Sequence, residues 1–407
     1  MSKQVQLDLG ELLAATEEAA PVDAIGVFAE HLSHAIGATD VSFLIADFSG
    51  QSLIRLGHTN GLPGRGGRET RTQVMLTGSP HGLALKSQSI IVAEDDGSHL
   101  FAPVSNRGEA IGILELVLSD PPDDATLAAV SQAAHALAYV VIANRRFTDL
   151  FEWGQRSVRL SLAAEIQHRL LPAAYTCEAG QFTLAAWLEP SGDIAGDTFD
   201  VAMDRDTLHF SLTDAMGHEV PAAMLATVLV GALRNARRAG GALAEQARAA
   251  NESLCSHLKS DEFVTGQVIR LDLLREAALV VNAGHPPPLR LRDGRVETVE
   301  LEADPPFGIS AEQQYRVQEL PLVPGDRLIF LTDGLLERSA SKVDIESVLA
   351  QSAALHPRET VHHLIRGVVE AAGGTLEDDA TVFCLDWHGE SGNRQIEPGF
   401  ERRSSQH

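Results

Sequence analysis

Cysteine is nearly absent: Cys177, Cys255 and Cys384 are the only three in 407 residues. An odd number at wide spacing excludes a disulfide framework and a zinc ribbon, and points to a reducing setting, the cytoplasm. Basic residues are also scarce. Against 56 Asp and Glu stand 32 Lys and Arg, a net charge of -24. With no basic face to neutralise phosphates, neither nucleic acid nor an anionic membrane is expected as a partner. The excess is not a tail: residues 1–148 carry 17 acidic and 9 basic side chains, and residues 172–388 carry 33 and 17. Long apolar runs are missing too. The longest, residues 222–233, covers 12 positions and suits a buried helix better than a membrane span. The opening MSKQVQLDLG has one Lys and no apolar core, so no secretory signal is expected. No Gly-rich phosphate cradle is found, and no His/Cys pattern in residues 1–148 marks a haem or metal sensor.

What is present is enough apolar material, 44% of residues, to fill two or three cores. Residues 1–148 read as a mixed α/β module. An amphipathic opening (Leu12, Leu13, Ile25, Phe28, Leu32) precedes strands at 41–47, 52–56, 89–93, 101–104 and 110–118, and a helix over 124–147 follows. The Gly/Arg-rich piece 61–70 reads as an exposed loop. Residues 149–171 place Leu150, Trp153, Leu160, Ala164 and Leu171 at helical spacings, which predicts one continuous linker helix stopped by Pro172. Such a helix could pair with its twin in a homodimer, although Ser157 and Gln167 interrupt the seam. From 172 to 388 strands come as hairpins, 198–203 with 207–213 and 289–292 with 296–301. Helices are expected at 221–239, 242–259, 344–354 and 358–371. Antiparallel sheets need their faces covered, so the fold class is helices layered on a β-sandwich. Residues 389–407 read as a polar disordered tail.

Four acidic segments stand where strand-like runs meet loops: Gly196-Asp197, Asp214 to His218, Thr332-Asp333-Gly334, and Asp378-Asp379-Ala380-Thr381. Each alone reads as a turn. Together they could aim several carboxylates at one point, where mutual repulsion calls for cations, and Mg²⁺ or Mn²⁺ takes such all-oxygen ligands. Two ions held so would serve a metal-assisted hydrolase. Pro221 sits where the first turn of a helix tolerates proline, after a Gly-containing loop that a metal could approach closely. His218 is either a pocket acid or phosphate-contacting group, or a histidine that orders its loop; His285, in the proline-rich loop 282–288, is open to the same two readings.

The segments AAEIQHRLLP (163–172), AGDTFD (195–200), DAMGHEVPAAM (214–224), NAGHPPPL (282–289), LTDGLLE (331–337) and DDATV (378–382) resemble, in order, the SpoIIE/RsbU-like branch of the metal-dependent (PPM) Ser/Thr protein phosphatases. The resemblance covers about residues 160–388. It implies an αββα sandwich of antiparallel sheets, with metal ligands at Asp197, Asp214, Asp333 and Asp378, the carbonyl of Ala215 as a further ligand and Asp214 as the bridge. Asp379 is the other reading of the DDAT pair. It further implies two Mn²⁺ or Mg²⁺ ions, in-line attack of a metal-held water on phosphoserine or phosphothreonine, and a STAS-domain anti-sigma factor antagonist as phosphorylated partner. Residues 1–148, chiefly 101–118 and the helix after them, look like a GAF sensory domain, which implies a small-molecule ligand. Two positions depart from the pattern: Glu219 stands where the family has Gly after Gly-His, and Ala195 where it has the first Gly of Gly-Gly-Asp. Two other readings compete, a phosphatase-fold sensor that has lost activity and docks a partner, and a two-metal phosphoesterase for a small molecule.

Overall fold

The computed structural model describes residues 7–58, 72–95, 97–156, 160–190, 196–257, 262–336, 343–374, 376 and 378–389. The loop expected at 61–70, the position of Ala195, and the tail from 390 onward lie outside them. The chain divides between residues 159 and 160 into two compact units.

The first unit opens with α1 (Leu9–Glu18) and α2 (Ala24–Ile36), two helices rather than one amphipathic opening. α1 ends before Pro21, α2 ends at Gly37 in the left-handed conformation, and the Asp8 carboxylate caps the start of α1. Then come β1 (Asp40–Ala46), β2 (Ser52–His58), β3 (Gln73–Met75), α3 (Pro80–Ser87), β4 (Ile91–Asp95), β5 (Gly97–Asn106), β6 (Glu109–Leu118), α4 (Asp124–Asn144) and α5 (Leu150–Gln155). The strands form one antiparallel sheet in the order β3-β2-β1-β6-β5-β4. Alternation divides its side chains between two faces. Val41, Phe43, Ile54 and Leu100 pack with Phe28, Val130, Leu137 and Phe151 of the helices, whereas Leu44, Leu53 and Phe101 pack with Ala84 and Leu85 of α3. α4 is long and apolar enough to cross a membrane, a feature the run at 222–233 had overshadowed; 56% of that apolar window is buried in this unit.

The continuous helix expected over 149–171 is instead two. α5 ends at Arg156, which leaves the helical region, and Ser161 caps a new helix, α6 (Leu162–Leu170), by accepting from Ala164 N at 3.1 Å. The apolar positions of the supposed seam are spent within each unit: Leu150 and Trp153 pack on the first unit's core, and Ala164 is buried in the second.

The second unit continues with β7 (Thr176–Glu178), β8 (Phe182–Glu189), β9 (Asp197–Met203), β10 (Thr207–Ala215), α7 (Glu219–Arg238), α8 (Leu243–His257), β11 (Val264–Asp272), β12 (Ala277–Ala283), β13 (Leu289–Arg292), β14 (Arg295–Thr298), β15 (Gln318–Pro321), β16 (Arg327–Leu331), a 3-10 turn (Asp333–Leu335), α9 (Ile345–Gln351), α10 (Pro357–Ala371) and β17 (Ala380–Trp387). Two antiparallel sheets result, β15-β12-β11-β10-β9 and β14-β13-β16-β17-β8-β7. Phe199, Phe210, Leu212 and Ile269 of the first face Phe182, Phe330, Phe383 and Trp387 of the second. The rings of Phe210 and Phe383 stack across the gap with centroids 4.5 Å apart and planes 5° from parallel.

The outer faces are covered as the sequence predicts. Leu229, Leu233, Ala247 and Leu254 of α7 and α8 bury Val264, Val268 and Val281. Leu349, Val361, Leu364 and Val368 of α9 and α10 bury Ile329, Val382 and Cys384. The layers are α, β, β, α.

Candidate metal centre

Asp197 opens β9 and Asp214 nearly ends β10, and antiparallel pairing sets the two directly opposite one another. Asp333 begins the 3-10 turn after β16, and Asp378 and Asp379 immediately precede β17, the neighbour of β16 in the opposite sheet. One end of the sandwich thus receives a carboxylate from each of four strand termini.

Asp197 is almost fully buried, at 2% exposure, and ties the two sheets together. Its Oδ2 accepts from Thr332 Oγ1 at 2.7 Å and from Thr381 Oγ1 at 2.6 Å, and Thr332 Oγ1 accepts in turn from Thr381 N at 2.9 Å. Asp379, equally buried, accepts at Oδ2 from Gln167 Nε2 at 2.6 Å and from Gly196 N at 3.3 Å. Gln167 Nε2 also donates to the Asp197 carbonyl at 2.8 Å. Asp378 is half-buried, with Oδ1 accepting from Asp379 N at 2.7 Å; Asp333 is exposed. The two members of the DDAT pair therefore differ, Asp379 turned inward to Gln167 and Asp378 toward Asp333.

Two glycines permit this closeness. A Cβ on Gly334 would stand 2.0 Å from the Asp379 carbonyl oxygen, and one on Gly196 would stand 2.5 Å from the Ala215 carbonyl oxygen. Ala215 N donates to the Gly196 carbonyl at 3.1 Å, which draws the two segments together.

The electrostatics are those of crowded like charges. Burial, and then the neighbouring carboxylates of Asp214 and Asp379, raise the Asp197 carboxyl well above its ordinary range, against the two threonine hydroxyls. Burial and then Asp333, Asp378 and Asp379 raise Asp214 to about 7. Burial also raises Asp378, Asp333 adding to it and the Asp379 N–H opposing. The charges acting on Asp197 and Asp214 are all negative, and Asp379 acts on both. Among the described residues no three His, Cys, Asp or Glu side chains already converge as an ion cage. The hydrogen bonds give the reason: Asp197 and Asp379 are directed to Thr332, Thr381 and Gln167. The donors available are carboxylate and carbonyl oxygens, the chemistry preferred by a hard divalent cation.

His218 lies exposed at the N-cap of α7, and its side chain makes no capping bond there. α7 begins at Glu219, two residues before the expected Pro221, and Glu219 has φ of 61°, the left-handed region in which Gly is at ease. His285 is a loop brace: its Nδ1 lies 3.0 Å from Thr265 Oγ1, its backbone N donates to Asn282 Oδ1 at 2.9 Å, and burial holds its pKa down at about 4.

Gln167, Thr332 and Thr381 are the site residues that sequence reasoning did not single out. The signal for Gln167 was its polar side chain on the apolar stripe of its helix; its burial at 2% exposure shows that the interruption is a contact.

Residues 204–388 match the family described as Stage II sporulation protein E (SpoIIE). The chain is 24% identical over 187 residues to the phosphoserine phosphatase RsbP of Bacillus subtilis, which covers 45% of this chain and 46% of that one. It is 20% identical over 232 residues to the phosphoserine phosphatase RsbU of the same organism, 56% of this chain and 69% of that one. The matched stretch thus spans less than half the length of RsbP. Among solved structures, the RsbU and RsbW domains of Rv1364c from Mycobacterium tuberculosis align with TM-score 0.46 and 26% identity, over 54% of this chain and 63% of that one.

Proposed function

We propose, for a chain whose residues 204–388 match the SpoIIE family, that the second unit is a metal-dependent protein serine/threonine phosphatase. The observation that carries this reading is the gathering of Asp197, Asp214, Asp333 and Asp378 from four strand termini at one end of the sandwich, with Asp197 and Asp214 directly opposite one another. Asp197, Asp214 and the Ala215 carbonyl would hold one Mn²⁺ or Mg²⁺, and Asp214, Asp333 and Asp378 a second. The two cations, when bound, supply a water of lowered pKa and neutralise charge on the phosphoryl oxygens. The residues of the chain do the rest. Thr332 and Thr381 fix the orientation of Asp197, and Gln167 holds Asp379 and the Asp197 backbone in register. Gly196 and Gly334 allow the segments to approach.

The names of RsbP and RsbU, both phosphoserine phosphatases, support phosphoserine as the substrate class. A phosphorylated STAS-domain anti-sigma factor antagonist in the cytoplasm is the partner in this reading, and the first unit acts as a GAF-like sensor of a small molecule. The test is phosphate release from a phosphoserine protein in Mn²⁺, by wild type, by Asp214→Asn and with chelator added. Release by wild type alone, abolished by chelator, is expected. Wild-type inactivity with intact metal binding would point to a docking protein instead, and preference for a nucleotide over phosphoproteins to a small-molecule phosphoesterase.

A further inference from the structure

Residues 125–144, nearly the whole of α4, contain no Asp, Glu, Lys or Arg, although charged residues make up 22% of the chain. Burial explains only one side of that helix. Val130, Leu137 and Val141 pack in the core of the first unit. On the other side Ala128, Gln132, His135, Tyr139 and Ile142 are exposed, Tyr139 at 53% and Ile142 at 38%. These positions follow one another at steps of four, three, four and three residues, and a further step of four reaches Arg146, exposed in the turn that ends the helix. Such steps keep side chains in one stripe along a helix, the seam spacing of a two-stranded coiled coil. The rings of His135 and Tyr139 touch along it, centroids 5.2 Å apart and planes at 80°. The two ends of the stripe differ in sign. Asp124, exposed on the first turn, stands one turn before Ala128, and Arg146 closes the opposite end.

We infer that this stripe is the surface on which two copies of the chain pair, α4 against α4, antiparallel about a two-fold axis. Such an axis sets one face against itself with its ends exchanged. His135 then meets Tyr139 of the second copy, and Gln132 meets Ile142. Arg146 lays its aliphatic stem over Ala128 of the second copy, and its guanidinium is within a helical turn of Asp124. Charge complementarity identifies the occupant: the acidic end of each stripe finds the basic end of the other, and the middle has no charge to repel. Elsewhere two chains of net charge -24 disfavour one another's approach. A parallel pair would set Asp124 on Asp124 and Arg146 on Arg146. Gln132 is the polar seam residue that fixes register. The pairing so inferred lies on α4, ahead of residues 149–171.

The experiment is sedimentation equilibrium of the full chain from about 1 to 100 μM, and because it needs no catalysis it stands apart from the phosphatase reading. Wild type should be a dimer. Tyr139→Glu combined with Ile142→Glu should weaken association at least about a hundredfold. Asp124→Arg and Arg146→Asp should each weaken it by at least about tenfold, and the two together should return it to within about threefold of wild type. That return also shows that neither substitution has unfolded the helix. A double charge reversal as weak as either single one overturns the antiparallel pair, and a dimer indifferent to the two glutamates overturns the surface. A wild type still monomeric at about 100 μM overturns the pairing altogether. Co-sedimentation of that monomer with phosphatidylcholine vesicles would then give the stripe to a membrane, and its absence would give it to an unlike protein.

Discussion

Asp214 shares the electrostatic cost of the site with Asp197, and its behaviour without metal is predictable. Its carboxyl is raised to about 7 from an ordinary value near 3.8. A carboxyl raised in the folded state contributes stability below its unfolded pKa that is lost as pH rises through the folded one. Chelator-treated wild type should therefore weaken between about pH 4 and 7, and Asp214→Asn should weaken less. Urea unfolding should find the variant more stable at pH 8 by on the order of 3 kcal/mol, with the gap closing toward pH 4. At Gln167 the direction reverses. Gln167→Ala removes the 2.6 Å donor to the buried Asp379, and leaving a buried acceptor short of a partner should cost about 2 kcal/mol in the same assay. Glu219→Gly should gain about 1 kcal/mol, because glycine accepts the left-handed backbone that glutamate occupies at φ 61°. The aspartates were legible in the sequence as Gly-Asp, Asp-Gly and Asp-Asp at strand ends. Gln167 was not, because it bonds a residue 212 positions away, and no local pattern reports a contact at that separation.

Among the elements, β16 and β17 do more than present aspartates. Arg327 at the start of β16 is buried and donates to Asp386 at 2.6 and 2.8 Å, and to the Ser352 and Leu355 carbonyls at 2.9 and 2.7 Å. It thereby ties the turn between α9 and α10 to the sheet. Arg327→Met should cost about 3–5 kcal/mol, since the Asp386 carboxylate is left without its buried cation. Thermal unfolding with the metal removed checks this apart from catalysis. The hairpin of β9 and β10 was readable from its Asp-Arg-Asp turn, and α7, α8 and α10 from their apolar periodicity. α3 and β3 were not, being short and next to residues with no clear period. The linker misled because its apolar spacing was regular across a break at Arg156, and each half found a core of its own.

At the scale of the molecule, two compact units with separate cores carry the chain. The sandwich was foreseeable because hairpins imply antiparallel sheets and the apolar helices between them needed faces to cover. Which end of it would gather the carboxylates was not, until the pairing of Asp197 with Asp214 and the junctions of β16 and β17 placed them together. The claim on which the account rests is that Asp214 joins two cation sites. It is tested most directly by titrating metal-free protein with Mn²⁺ and recording stoichiometry and electron-spin coupling. The account predicts a coupled ion pair in wild type, and at most one uncoupled ion in Asp214→Asn. A pair that survives the substitution unchanged, or no bound Mn²⁺ in wild type, would contradict it.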